Sequence, residues 1–355
     1  MYRSARGNPA PCSLLPAPDS YRQVFPDGQI DALARSFMKR IAGGIGIPML
    51  FMFLSAAVFL WASMGMLRKQ EPFYSWFYSF AWWSAILFIE AFMRWRTGRW
   101  RLFDKIYRLP VYLGLSVFIW LVFEAFNFRL QNWHYVQLPS STGLRWLGYT
   151  IAFATVLPAI HAVTAILDHA GLFGSSRCRP LPDAAGYYRF FVLVGLLFLL
   201  LPLVQPRIFF PLVWGGFIFL LEPVNHRFGG DSLLRDWENG SLRCFYLLLA
   251  AGMICGLLWE LWNFRAGSKW IYTIPYAGFL KVFEMPLLGF LGFPPFAVEC
   301  YVMTNSFRLL AAGMRQDVTP GRAALRCIPV GLLMFLFCVL VFMGIDRFTV
   351  KSFGN

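Results

Sequence analysis

Residues 243–263 read RCFYLLLAAGMICGLLWELWN: one leading arginine, then no charge until Glu260. Roughly 20 mostly apolar residues carry a helix across the hydrocarbon of a bilayer. Working outward, eight further runs of this kind lie between charged breaks. The nine predicted spans are 46–67, 75–94, 109–129, 146–167, 188–205, 207–225, 243–263, 281–304 and 327–345. The expected fold class is therefore all-α, a polytopic transmembrane helix bundle. Spans five and six are divided only by Gln205-Pro206-Arg207, which reads as a tight helical hairpin or as one long broken element.

Composition agrees. Of 355 residues, 58% are hydrophobic and 14% charged, with 38 Phe and 14 Trp. A water-soluble domain carries about a quarter charged residues. No cleavable signal peptide is read, because residues 1–45 are polar and Pro-rich and no apolar run with a cleavage site follows at the required distance. They are expected to be disordered or to lie on a surface, with an amphipathic stretch near Ile30 to Ile41 meeting anionic lipid.

Placing the N-terminus in the cytoplasm puts 22 of the 32 Lys and Arg on the cytoplasmic side, densest over Arg94–Arg101. Basic residues are retained on that side, so the distribution predicts N-in and C-out in a bacterial inner membrane. It also explains most of the net charge of +14 without a nucleic-acid partner. The expected partners are membrane lipids, an apolar small-molecule substrate, and a membrane-protein partner or a second copy of the chain.

The chain repeats itself. Glu124-Ala-Phe-Asn127-Phe-Arg129 matches Glu260-Leu-Trp-Asn263-Phe-Arg265 at an offset of 136. Trp133 and Tyr135 follow the first motif; Trp270 and Tyr272 follow the second. Trp82 and Glu90 match Trp214 and Glu222 at an offset of 132. The expected organisation is a cytoplasmic segment (1–45), repeat one (46–167), a linker (168–187), repeat two (188–304), a loop (305–326), and a final span with a short outer tail (327–355). Repeats of four spans return the chain to the same side, which predicts a parallel relation about an axis along the membrane normal.

Carboxylates are costly in hydrocarbon and generally face the bundle interior. Orientation sorts them into an outer set, Glu124, Glu260 and Glu284, and an inner set, Glu90, Glu222 and Glu299. The outer set is the candidate acid machinery. Asn127 and Asn263 lie three residues after their Glu, on the same helix face, and are expected to bond that Glu or a ligand. Trp133, Tyr135, Trp270 and Tyr272 would form the substrate-binding rim of a polar pocket between the two repeats, near the outer face. The alternative is that these groups pair across helices and fix the packing. The segment 281–299 holds Pro286, Pro294, Pro295, Gly289 and Gly292, which argues against a straight helix. Cys12, Cys178, Cys244, Cys255, Cys300, Cys327 and Cys338 show no paired spacing and read as small apolar residues, without a disulfide framework. The four His have no ligand spacing, and neither a metal nor a cofactor is expected.

Trp259-Glu260-Leu-Trp262, with Arg265-Ala-Gly267, Trp270-Ile-Tyr272 and Pro286, resembles the membrane-bound lycopene cyclases of the heterodimeric or fused type over about 40 residues. That family carries an acidic pair after the Pro. Those positions are Leu288 and Gly289 here, and Glu284 precedes the Pro. The resemblance implies a bundle with acid chemistry on an isoprenoid chain. The whole chain also resembles uncharacterised bacterial multi-span inner-membrane proteins. Three roles follow: an enzyme acting on a lipid or isoprenoid, a transporter using the same seam, or a non-catalytic subunit of a membrane complex.

Overall fold

The computed structural model describes residues 46–276, 278–316 and 319–354. The expectations for residues 1–45 fall outside them. The helices are α1 (Gly46–Leu67), α2 (Phe77–Thr97), α3 (Leu109–Leu130), α4 (Thr142–Phe153), α5 (Val156–His169), α6 (Tyr188–Val204), α7 (Pro206–Phe209), α8 (Val213–Arg227), α9 (Leu233–Glu238), α10 (Arg243–Arg265), α11 (Phe293–Arg315) and α12 (Pro320–Phe348). Short strands join them: β1 (Trp133–Val136), β2 (Leu138–Pro139), β3 (Lys269–Tyr272), β4 (Lys281–Val282), β5 (Met285–Pro286) and β6 (Phe353–Gly354). Among the described residues, eight helical segments are long and apolar enough to cross a membrane. The chain is thus built as an integral membrane helix bundle. α2 has the length but, with Glu90, Arg94 and Arg96, is not one of the eight.

Two predicted spans differ in form. The fourth is broken at Ala154–Thr155 into α4 and α5. Ser116 of α3 fills the break, its Oγ donating to Phe153 O (2.7 Å) and accepting from Leu157 N (3.0 Å). A neighbouring helix thus satisfies backbone groups that the irregular turn before Pro158 leaves open. The eighth, expected over 281–304, is not helical at its start. Residues 281–286 form the β4–β5 hairpin, 287–292 a 3-10 turn, and the α-helix begins at Phe293 with Pro in its first turn. Proline suits that position because the first helical N–H groups have no intrahelical partner.

Spans five and six form a hairpin. α6 and α8 pack so closely that a Cβ on Gly195 would lie 2.6 Å from Leu220 N. Arg129 Nε donates to Leu203 O (3.0 Å) and so caps α6. Cys244 is disulfide-bonded, which corrects the reading of every cysteine as an unpaired apolar residue.

The connecting segments gather at two ends. At one, Gly267 N bonds Tyr74 O, Thr273 N bonds Asn132 O, and Lys351 N bonds Tyr135 O (2.8 Å each). At the other, Cys178 N bonds Gly240 O (3.1 Å) and Arg243 pairs with Asp168 (2.8 Å).

Candidate functional site

The two motifs meet at the first of these ends. β1 and β3 pair antiparallel, with Trp133 opposite Tyr272, His134 opposite Ile271 and Tyr135 opposite Trp270. Each strand is docked onto its own helix by the asparagine. Asn127 Nδ2 donates to Trp133 O (2.9 Å), and its Oδ1 accepts from Asn132 N (2.8 Å). Asn263 Nδ2 donates to Trp270 O (2.9 Å), and its Oδ1 accepts from Trp270 N (3.0 Å). Both residues are fully buried. This corrects the expectation that they bond the glutamates: their amides serve the strand backbone, which would otherwise leave polar groups unsatisfied in an apolar interior.

The glutamates bind the strand side chains. Glu124 Oε1 accepts from Trp120 Nε1 (3.0 Å), Trp133 Nε1 (3.0 Å) and the Tyr135 hydroxyl. Glu260 Oε1 accepts from Trp270 Nε1 (3.3 Å) and the Tyr272 hydroxyl (2.8 Å). In both, Oε2 is buried and has no partner among the described residues. Burial, reinforced by the adjoining carboxylate, pushes both tyrosine hydroxyls well above the ordinary phenol value and keeps them as proton donors.

A cavity of about 820 Å³ lies against this strand pair. Trp133, Tyr135, Trp270 and Tyr272 line it, within a largely apolar wall rather than a polar one. Trp120, Trp214, Trp259, Tyr78, Tyr149 and Phe296 complete an aromatic wall that sequence reading missed. Trp120 was open to detection, since it stands one helical turn before Glu124 on the same face. Glu124 and Glu260 stand behind this wall, holding the rings that face the cavity.

Glu284 is placed differently from the other two. It sits on the turn between β4 and β5 and pairs with Lys269 Nζ at 2.5 Å. A second pair was missed entirely: Arg145 of α4 binds Asp346 of α12 through Nε and Nη2 at 2.7 Å each. Trp146 Nε1 (3.0 Å) and the Tyr149 hydroxyl (2.9 Å) also donate to Asp346. Arg145 and Lys269 both line the cavity.

The inner glutamates do not share a site. Glu90 accepts from the amides of Arg101 (3.1 Å) and Leu102 (2.9 Å). Glu222 accepts from Ser232 Oγ (2.7 Å) and Leu234 N (3.3 Å). Glu299 accepts from Phe217 N (3.0 Å), where α8 starts irregularly at Trp214. Each holds backbone in place. Among the described residues, no three His, Cys, Asp or Glu side chains gather as metal ligands. Compared with known proteins, the chain matches no family model, no curated protein and no solved structure.

Proposed function

We propose that the chain is an enzyme of the bacterial inner membrane that holds a lipid or isoprenoid molecule in the aromatic cavity between two repeated units. The observation that carries this reading is the cavity itself: a lipid-sized space walled by the Trp and Tyr of both motifs, with a carboxylate behind each pair. The substrate would touch Tyr135, Tyr272 and the indole rings. Glu124 and Glu260 would act through them, as positioning residues that orient the phenols and polarise their O–H bonds. Aromatic faces also attract positive charge, which suits a cationic centre developing on an unsaturated chain. The local resemblance to lycopene cyclases favours the same class of chemistry. Transport through the seam is the second reading. It is less favoured because Glu90, Glu222 and Glu299, which a continuous pathway would use, do not share a site and each holds a different stretch of backbone.

Two features support a duplication about a two-fold axis. In the strand pair, Trp faces the other motif's Tyr on both sides of His134–Ile271, the register that a two-fold axis demands. Trp82 packs on Trp259, at 5.8 Å between ring centroids, and its counterpart Trp214 packs on Phe123, the counterpart of Trp259, at 5.3 Å. The swap is reciprocal. The basic-residue count supports the N-in orientation. The disulfide at Cys244 sits at the end that this count places in the reducing cytoplasm, where disulfides are uncommon, so reporter fusions at both ends are the direct check.

Function is tested on lipid-soluble extracts by mass spectrometry. The strains are wild type, a deletion, and the deletion complemented with Tyr135→Phe plus Tyr272→Phe. A precursor that accumulates in both altered strains, with loss of its product, is the expected result. Unchanged extracts despite full expression would remove the lipid-enzyme reading.

A further inference from the structure

The rim of the cavity differs in chemistry around its circumference. Tyr276, Leu288 and Leu291 line the cavity and are also 79%, 64% and 65% exposed. Leu288 and Leu291 belong to the segment that replaces the start of the eighth span, and Tyr276 precedes it. Phe198, Phe210 and Pro211 of the α6–α8 hairpin also line it. These are apolar or aromatic, and in a membrane protein such a rim faces acyl chains rather than water. The ionic groups on the wall come from the strand end, and each cation is already matched: Lys269 with Glu284 at 2.5 Å and Arg145 with Asp346 at 2.7 Å.

From this we infer that the cavity is entered sideways from the bilayer, between the α6–α8 hairpin and residues 287–291, and that its occupant is a long-chain amphiphile with an uncharged polar head. The inference rests on the cavity being a lipid site, as proposed above, and adds the route and the head-group class. The chain occupies the aromatic interior and reaches the lipid-facing portal. The head lies at the strand end, among the two ion pairs, Ser75 and Ser268. An anionic head would compete with Asp346 or Glu284 for a cation already held. A cationic head would meet Arg145 and Lys269 at close range. A hydroxyl head avoids both costs, and neutral polar groups are far cheaper to desolvate than charged ones.

The experiment uses full-length protein in phosphatidylcholine nanodiscs. Three photoreactive probes share one long alkyl chain and differ at the head: an alcohol, a carboxylic acid and a trimethylammonium. Cross-linked peptides are mapped by mass spectrometry. The alcohol is expected to label peptides containing Trp120–Tyr135 and Lys269–Phe296 about tenfold more efficiently than either charged probe. Leu288→Trp and Leu291→Trp, made separately on exposed positions, narrow the portal and are expected to slow labelling several-fold while thermal stability is retained. Equal or stronger labelling by a charged probe overturns the head-group assignment. Unchanged labelling rates in both portal variants overturn the lateral route. If no probe labels the cavity of folded protein, the lipid-site reading itself fails, which is a separate result from the other two.

Discussion

The first and second Glu-Asn-Trp-Tyr motifs have nearly the same letters but differ in how firmly they are held. Glu124 has three donors, and the side chains of Trp133 and Tyr135 are buried. Glu260 has two donors, the weaker at 3.3 Å, and Trp270 Nε1 divides itself between Glu260 and the Tyr272 hydroxyl. All four residues of β3 are only half-buried. The position that supplies the third donor, Trp120, corresponds to Gly256 at the motif offset of 136. Gly256 is where α11 presses closest: a Cβ there would come within 2.2 Å of the Phe293 ring. One motif uses the site for a hydrogen bond, and the other for a close helix contact. Under the proposed duplication, the first motif serves as scaffold and the second is the freer to adjust.

The largest test of this contrast removes the acceptors. Glu124→Ala strands three donors, whereas Glu260→Ala strands only the Tyr272 hydroxyl, since Trp270 Nε1 keeps its bond to that hydroxyl. An unsatisfied buried donor costs about 1–3 kcal/mol, so losses of roughly 3–9 and 1–3 kcal/mol are expected. Thermal unfolding in detergent should rank Glu124→Ala below Glu260→Ala. Equal melting temperatures would mean that the two motifs are held alike.

Gly256→Ala comes next. The added methyl must displace Phe293 or α11, and overpacking of this kind costs about 1–3 kcal/mol. Because Phe293 also lines the cavity, labelling by the alcohol probe should fall along with the melting temperature. A fall in stability with unchanged labelling would separate the helix contact from the cavity.

A subtler test concerns the C-terminal tail, which among the described residues has no counterpart on the second motif. Tyr135 N bonds Thr349 O (2.9 Å), Lys351 N bonds Tyr135 O, and β6 pairs in parallel with β2. Truncation after Phe348 should raise hydrogen exchange at residues 133–138 toward the rate of 269–272. Continued slow exchange at β1 would show that Asn127 and Glu124 hold the strand unaided.

Much of this architecture was legible in the sequence. Apart from residues 281–286, the predicted apolar runs fall on helical segments, because span length and charge breaks are set by the bilayer and leave plain marks. The Trp and Tyr of each motif stand out in the sequence because each half-site is local, within 12 residues of its glutamate. The irregularities were not. The break at Ala154–Thr155 depends on Ser116, about 40 positions away, and a serine in a span has many ordinary uses. The Arg145–Asp346 pair joins residues 201 apart, with no pattern in sequence to connect them. The bonds of Asn127 and Asn263 to strand backbone were not legible, because spacing shows which face a side chain occupies, not which of several backbone groups it reaches.

The smallest expected effect extends the comparison to the opposite end of the bundle. Glu90 and Glu222 fix the connections after their helices in the same way, each accepting amides about 12 residues on. The second connection folds into α9, which half-buries Asp236; its counterpart at the offset of 132, Asp104, is exposed. Burial, with Asp231 nearby, pushes Asp236 from 3.8 up to about 6. The folded state therefore favours the protonated acid. Its contribution is most favourable below the ordinary aspartate value and is lost as pH rises through about 6. Asp236→Asn should leave the melting temperature unchanged near pH 4 and raise it above pH 6, with Asp104→Asn as the exposed control. A gap of constant size across that range would mean that Asp236 is hydrated in the folded protein, and that the second connection is no more tightly packed than the first.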